Sequence, residues 1–249
     1  MNIYLKLDVD TKQNLEFNAM SFIPLESVLK SVTNERNALY IKCPAFTDYY
    51  KNCFLVRAPN DVEMEVKKTN ENIKYISLKN QNQEFCNSYI VDRNKENSLF
   101  SMMSIEWGHV FYSKESVMIE QLPANLHVHE AEFLKNIMLI QGTFDIAKWY
   151  RPVHYSFEII DDNKPISIKR GDPLFYVRFL TDKKVNLIYE NENLYVDKIQ
   201  KGCVSARTFI KQNTMAENYN IAHNMITNLK NKIFKRSKCP FGFLHKKGE

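Results

Sequence analysis

Two histidines separated by a single residue, His127 and His129, form the clearest metal-binding pattern in the sequence. In a β-strand they would share a face, so that both imidazoles could bind one ion. Glu132 adds a carboxylate three residues after His129, and His109 or His154 could supply a further ligand through folding. The pattern predicts a transition-metal site. The alternative is a solvated loop over residues 127–132 that binds no metal.

A second group of residues lies between positions 142 and 180, where three strand-like runs are separated by turn-forming residues. The first turn spans residues 161–165 and the second spans residues 170–172. The candidate functional residues of this group are Asp145, Tyr150, Arg151, Gly171 and Asp172. A purely structural interpretation is also available, in which Asp145 begins a turn, aromatic residues fill the core, and Gly171-Asp172 forms a tight hairpin turn.

This region resembles the dUTPase and dCTP deaminase superfamily, whose members have a β-clip fold and generally work as trimers. Gly142-Thr-Phe-Asp145, followed by Trp149-Tyr150-Arg151-Pro152, is similar to the third motif of that family. The run Gly171-Asp172-Pro173-Leu174-Phe175-Tyr176 is similar to the fourth motif. The resemblance implies that Asp145 acts as the general base and Tyr150 packs against the pyrimidine. Arg151, Gly171 and Asp172 would contact substrate, with Mg²⁺ at the phosphates.

Several positions depart from the pattern of the family. Pro173 and Tyr176 replace the Arg and Gln of the fourth motif, and no Ser-rich phosphate-binding turn precedes residue 142. Glu158, the candidate acid/base of a deaminase, falls one residue late and should point to the opposite face of its strand. We therefore expect a divergent β-clip scaffold that serves a binding or structural role. A nucleotide hydrolase that uses Asp145 is the alternative.

The histidine pattern has its own family resemblance. A His-x-His pair followed by a glutamate is similar to the metal site of the cupins, which are β-barrels. This resemblance implies a metal-dependent enzyme that uses His127, His129 and Glu132. In cupins the glutamate stands farther from the second histidine, and the second cupin motif has no counterpart here.

Composition and charge narrow the class of protein. With 44% hydrophobic residues among 249, the chain can form a substantial core. Seven of the lysines and arginines lie in residues 228–249, and the remaining body is nearly neutral. We expect no nucleic-acid partner except through this basic tail. The five cysteines have no CxxC spacing, which favours reduced thiols.

The first residues and the apolar runs of the sequence bear on the cellular location of the protein. No apolar run is long enough to span a membrane, and the first residues do not resemble a signal peptide. A cytoplasmic location is expected, which would be the host cytoplasm for a viral protein. The richness in Asn and Lys and the scarcity of Gly suggest an AT-rich genome, as many phages have.

Alternating polar and apolar residues predict a mainly β fold. A strand is expected over residues 3–9, and a short helix over residues 24–32. Further strands are predicted at residues 39–42, 53–57, 62–67, 73–78, 88–91, 99–106, 117–122, 137–140, 153–160, 166–169, 174–180, 185–189 and 194–199. Their short spacing, with no helices between them, indicates an antiparallel sandwich or barrel.

The predicted organisation has three parts. Residues 1–94 form an N-terminal β-rich region, residues 95–200 form the β-clip or barrel core, and residues 201–249 carry a helix and the basic tail. The helix is predicted from apolar residues that recur three or four positions apart between Met215 and Ile233, with Asn213 or Thr214 as its N-cap. The family resemblance further implies a homo-oligomer, most simply a trimer.

Overall fold

The structure is a computed structural model that describes residues 1–7, 22–24, 42–68, 74–79, 90–92, 101–148, 150, 152–190, 193–209 and 215–234. Over these residues the protein is mainly β, with three sheets and no closed barrel. The mainly β prediction is confirmed, and the β-clip form of the fold stays a prediction. Most residues of the elements predicted at 24–32 and 39–42 lie outside the described part of the chain. Residues 149, 151, 213, 214 and 235–249 also lie outside it.

The largest sheet has six strands, which are β1 (Asn2–Leu7), β6 (Ile90–Asp92), β7 (Ser101–Tyr112), β9 (Ile137–Leu139), β11 (Pro152–Ile159) and β14 (Asn186–Glu190). Their spatial order is β14, β1, β7, β11, β9, and β6 also pairs with β7. Its pairs are antiparallel except β1 with β14, which is parallel. Short spacing predicts pairing between neighbours in sequence, and it carries no information on two strands from distant parts of the chain.

Two smaller sheets complete the β structure. A five-stranded sheet has the order β10, β8, β13, β3, β2, and a three-stranded sheet has the order β12, β4, β5. The strands are β2 (Phe22–Pro24), β3 (Cys53–Arg57), β4 (Val62–Lys68), β5 (Lys74–Lys79), β8 (Met118–Pro123), β10 (Thr143–Asp145), β12 (Ile166–Ile168) and β13 (Pro173–Leu180). Most lie within two residues of a predicted strand, whereas β2 and β10 were not predicted.

Two corner turns join the smaller sheets. β3 pairs with β13 in one sheet, and β4 pairs with β12 in the other. The turns between them are hydrogen-bonded, since the Gly171 N–H donates to the Ala58 oxygen and the Ala58 N–H donates to the Asp172 oxygen, both at 2.8 Å. The Gly171-Asp172 turn is confirmed as tight, but the hairpin prediction is wrong because β12 and β13 belong to different sheets. Gly171 has a φ of +92°, a conformation that favours glycine.

Among the described residues, three α-helices lie outside the sheets: α1 (Pro44–Tyr49), α2 (Leu194–Phe209) and α3 (Met215–Phe234). The prediction of α3 is confirmed, whereas the strand predicted at residues 194–199 is wrong. Asn193 caps this segment as a helix, because its Oδ1 accepts hydrogen bonds from the Tyr195 and Val196 N–H groups at 3.3 Å. Val196 and Ile199, three residues apart, are both fully buried.

The buried apolar residues of the described chain form three clusters. The main cluster lies between the six-stranded sheet and the other two sheets, with Phe157 of β11 and Phe175 of β13 among its largest buried members. A second cluster joins Tyr4 and Tyr112 to α2 and α3. A third cluster joins Tyr176 to α1 and the loop after β8. The helices therefore cover outer faces of the sheets, and the main apolar layer lies between the sheets.

All three sheets combine strands from both sides of the predicted boundary after residue 94. β1 pairs with β7, β3 with β13, and β4 with β12. The predicted boundary after residue 200 falls inside α2. None of the helices in the described part of the chain is long and apolar enough to cross a membrane.

Candidate functional site

Asp145, the predicted general base, ends β10 and is buried. Its Oδ1 accepts hydrogen bonds from the Ala147 N–H at 2.9 Å and from the Val117 N–H at 3.3 Å. Its Oδ2 accepts a hydrogen bond from the Ser116 hydroxyl and lies 3.3 Å from Lys148 Nζ. Both carboxylate oxygens are thus bonded within the chain, and the bond to Ala147 forms an Asx-type turn.

The surroundings of Asp145 keep its carboxylate ionised. Burial acts to raise its pKa, but the hydrogen bonds from Ser116, Ala147, Lys148 and Val117 together hold the pKa below its ordinary value. A general base must reach the proton of a water molecule beside the substrate. The bonds seen here instead join the turn after β10 to the segment before β8, so the geometry favours a structural role for Asp145.

Tyr150, the predicted pyrimidine contact, is buried in the second cluster. Its ring centroid lies 5.2 Å from that of Tyr112, and burial raises its pKa above the ordinary value. Its hydroxyl has no hydrogen-bond partner among the described residues. Trp149 and Arg151 lie outside those residues, so the structure describes only part of the third-motif group.

The histidine pair does not lie in a strand, and that part of the metal prediction is wrong. β8 ends at Pro123, and His127 closes a 3-10 helix, Asn125–His127. His127 is buried, whereas His129 is exposed in the following turn. Glu132 is exposed and bonds to Lys135 Nζ at 2.6 Å. Within the described ranges, no group of three or more His, Cys, Asp or Glu side chains is arranged to hold a metal ion.

His127 is part of a buried hydrogen-bonded pair with Tyr176. The Nδ1 atom of His127 lies 2.6 Å from the Tyr176 oxygen, which also accepts a hydrogen bond from the Leu126 N–H at 3.1 Å. Both side chains are buried, so neither is in a position to contact a substrate. The pair fixes the loop after β8 against β13.

The same loop is joined to the corner turn by Arg57. One guanidinium nitrogen of Arg57 donates to the Gly171 oxygen at 2.9 Å and lies 3.2 Å from Glu130 Oε2. Glu130 Oε1 in turn lies 3.8 Å from His127 Nε2. The structure therefore brings His127 and Gly171, from two separate sequence patterns, into one network.

Asp172 stabilises the corner turn itself. Its Oδ2 accepts a hydrogen bond from the Lys169 N–H at 2.8 Å, and the Arg170 N–H donates to Asp61 Oδ1 at 2.6 Å. The fourth-motif residues thus serve the junction of two sheets in this structure.

A polar cluster that the sequence does not reveal lies where α2 meets the six-stranded sheet. Lys6 forms an ion pair with Asp197 of α2, and the Tyr112 hydroxyl donates to Glu190. Asn193 donates to Glu190 Oε2 at 3.0 Å. The alternation in β1 predicts that Lys6 faces away from the main core, but it cannot show that a helix covers that face.

Compared with protein-family models and with curated proteins, the chain matches none. These comparisons assign no family. The functional argument therefore depends on the geometry described above.

Proposed function

We propose that the protein is a non-catalytic binding or structural protein built on a divergent dUTPase-like β-clip scaffold. The observation that supports this most strongly is the state of Asp145, whose two carboxylate oxygens are both bonded within the chain. An ionised carboxylate with this set of donors stabilises a turn. It has no oxygen reserved for an attacking water.

The other predicted substrate contacts support the same proposal. Tyr150 is buried beside Tyr112, so its ring is not accessible to a pyrimidine in this structure. The oxygen of Gly171 is bonded to Arg57, and Asp172 is bonded to its own turn. These residues have structural partners where a hydrolase would need contacts to a nucleotide.

Two catalytic alternatives to this proposal would use different residues and different metals. A nucleotide hydrolase would use Asp145 with Mg²⁺, and a cupin-like enzyme would use His127 and His129 with a transition metal. The buried position of His127 and the exposed position of His129 do not favour the second alternative.

Asp145→Asn should lower the free energy of unfolding by about 1 kcal/mol, and Asp145→Ala by about 2 kcal/mol. Asparagine keeps an acceptor for the two N–H groups, whereas alanine leaves them without one. Urea denaturation measures both values, with Asp182→Asn as the control because Asp182 is exposed. Unchanged or increased stability would indicate a strained catalytic carboxylate and contradict the proposal.

The difference in stability between wild type and Asp145→Asn should depend on pH, because folding lowers the pKa of Asp145. The folded-state pKa of Asp145 lies below the ordinary value of 3.8. Its contribution to stability is therefore present above that pH and is lost as the pH falls through the lower, folded-state pKa. The stability of wild type and Asp145→Asn should converge on acidification.

We include a homotrimer in this proposal, as the family resemblance implies. Light scattering at micromolar concentration should then give three times the 29.4 kDa mass of one chain. A monomer at that concentration would contradict the trimer and would leave the proposed role of Asp145 to its own test.

A further inference from the structure

The α2–α3 hairpin covers the outer face of the six-stranded sheet, where it packs on Tyr4, Val110 and Tyr112. We propose that this hairpin is a displaceable cover, which opens as a unit while the sheets stay folded. Opening would uncover an aromatic surface in which Tyr4 stacks on Tyr112 at a centroid distance of 5.4 Å and Tyr112 contacts Tyr150. This conformational step goes beyond the proposed function and does not depend on it.

The first observation is a set of buried polar atoms on the two helices and among the residues that they cover. Both amide atoms of Gln200 on α2 are buried, and so is the Oδ1 atom of Asn218 on α3. Neither side chain finds a hydrogen-bond partner for these atoms in the part of the chain that the structure describes. The Tyr150 hydroxyl on the covered side is in the same state. Burying such groups without partners destabilises the closed state, and opening would hydrate the Tyr150 hydroxyl, which belongs to the covered cluster.

The second observation is a buried ion pair that joins the hairpin to the sheet beside the apolar cluster. Lys6 of β1 is 6% exposed, and its ammonium group pairs with Asp197 in the first turn of α2. The desolvation of such a pair offsets much of its attraction. The closed state therefore gains less from this contact than the sheets gain from the apolar layer between them.

The third observation is that the two helices are joined at the end where the chain enters and leaves the hairpin. The side chain of Asn193, which caps α2, donates to the oxygen of Ile233 near the end of α3 at 3.4 Å. Lys232 Nζ lies 6.0 Å from the ring centroid of Tyr195. These contacts join the two helices to each other, so both helices should open together. The bonds from Asn193 to Glu190 and to the Tyr112 hydroxyl join the hairpin to the sheet and must break on opening.

Hydrogen exchange followed by mass spectrometry tests the proposal on the full chain. Peptides from α2 and α3 should exchange at least about tenfold faster than peptides from β11 and β13, because opening is cheaper than global unfolding. Equal protection of the helices and of these central strands would overturn the proposal.

Two substitutions should move the exchange of both helices in opposite directions. Gln200→Met removes the unpaired amide at similar volume and should slow exchange of α2 and α3 about tenfold. Asp197→Asn leaves Lys6 buried without its charge partner and should speed it about tenfold. Exchange of β11 and β13 should stay within twofold in both variants.

Matched controls and a second variant keep the test decisive. Asn224→Met and Lys198→Gln change exposed positions of the same helices and should leave exchange unchanged. Asn218→Leu should reproduce the slowing if Gln200→Met does not fold. A response confined to the substituted helix, or an equal response in β11 and β13, would contradict opening as a unit.

Discussion

Tyr176→Phe should lower the free energy of unfolding by about 2 kcal/mol, and Tyr176→Ala by about 4 kcal/mol. The phenylalanine variant removes the hydroxyl that lies 2.6 Å from His127 Nδ1 and accepts the Leu126 N–H. His127 then stays buried without that contact, and the half-buried Leu126 N–H loses its acceptor. The alanine variant also leaves a cavity where the ring packs against Cys53, Leu55 and neighbouring apolar residues.

Urea denaturation followed by circular dichroism measures both changes. Tyr49→Phe is the matched control, because Tyr49 is 47% exposed and its ring, which lies under the Arg178 guanidinium, is retained. A loss below about 0.5 kcal/mol for Tyr176→Phe would show that the buried pair with His127 does not hold the loop after β8.

Asn52→Ala should lower the free energy of unfolding by about 3 kcal/mol, since it removes three side-chain hydrogen bonds and strains the backbone. The Nδ2 atom of Asn52 donates to the oxygens of Thr181 and Lys183 at 2.8 and 2.9 Å, and its Oδ1 accepts from the Val185 N–H at 3.0 Å. Its φ of +54° lies in the left-handed region. These contacts fix the loop between β13 and β14. This loop positions β14 for its parallel pairing with β1.

A glycine variant separates the two contributions. Asn52→Gly relieves the backbone strain and loses the same hydrogen bonds, so about 2 kcal/mol of the loss should remain. Asn224→Ala, at an exposed helical position, provides the control. If the glycine variant were as stable as wild type, the side-chain bonds would not stabilise the loop.

Strands such as β11 were predictable because one face is buried and the other is more exposed. In β11 the odd-numbered residues from Val153 to Ile159 are buried, which is the alternation seen in the sequence. The same parity places Glu158 on the other, half-buried face of the strand. The pairing of strands was not predictable in this way, since β12 and β13 look like a hairpin yet extend into different sheets.

The wrong strand predictions at residues 194–199 and 127–132 share one cause. A run of about six residues does not specify its own secondary structure. Residues 194–199 alternate like a strand, but the Asn193 cap and the docking surface of the sheet favour a helix. Residues 127–132 resemble a strand with two histidines on one face. The chain turns there instead, because Glu130 N–H bonds to the His127 oxygen at 2.9 Å.

The candidate site was predictable only in part. The structural interpretation of Asp145 as the start of a turn follows from its residue type, and the structure confirms that turn. Its bonds to Ser116 and Val117 join segments about thirty residues apart in sequence, which no local pattern reveals. Lys6 looks like a solvated residue of an alternating strand, and only the covering helix makes it a buried ion-pair partner.

Release of pyrophosphate from dUTP and dCTP in the presence of Mg²⁺ tests the central claim most directly. The claim is that the Asp145 carboxylate stabilises a turn and activates no water. The purified wild type should release none above background, and Asp145→Asn should behave identically. Turnover by the wild type that falls by about 10²–10⁴-fold in Asp145→Asn, with the variant still folded, would contradict the claim and identify Asp145 as a general base.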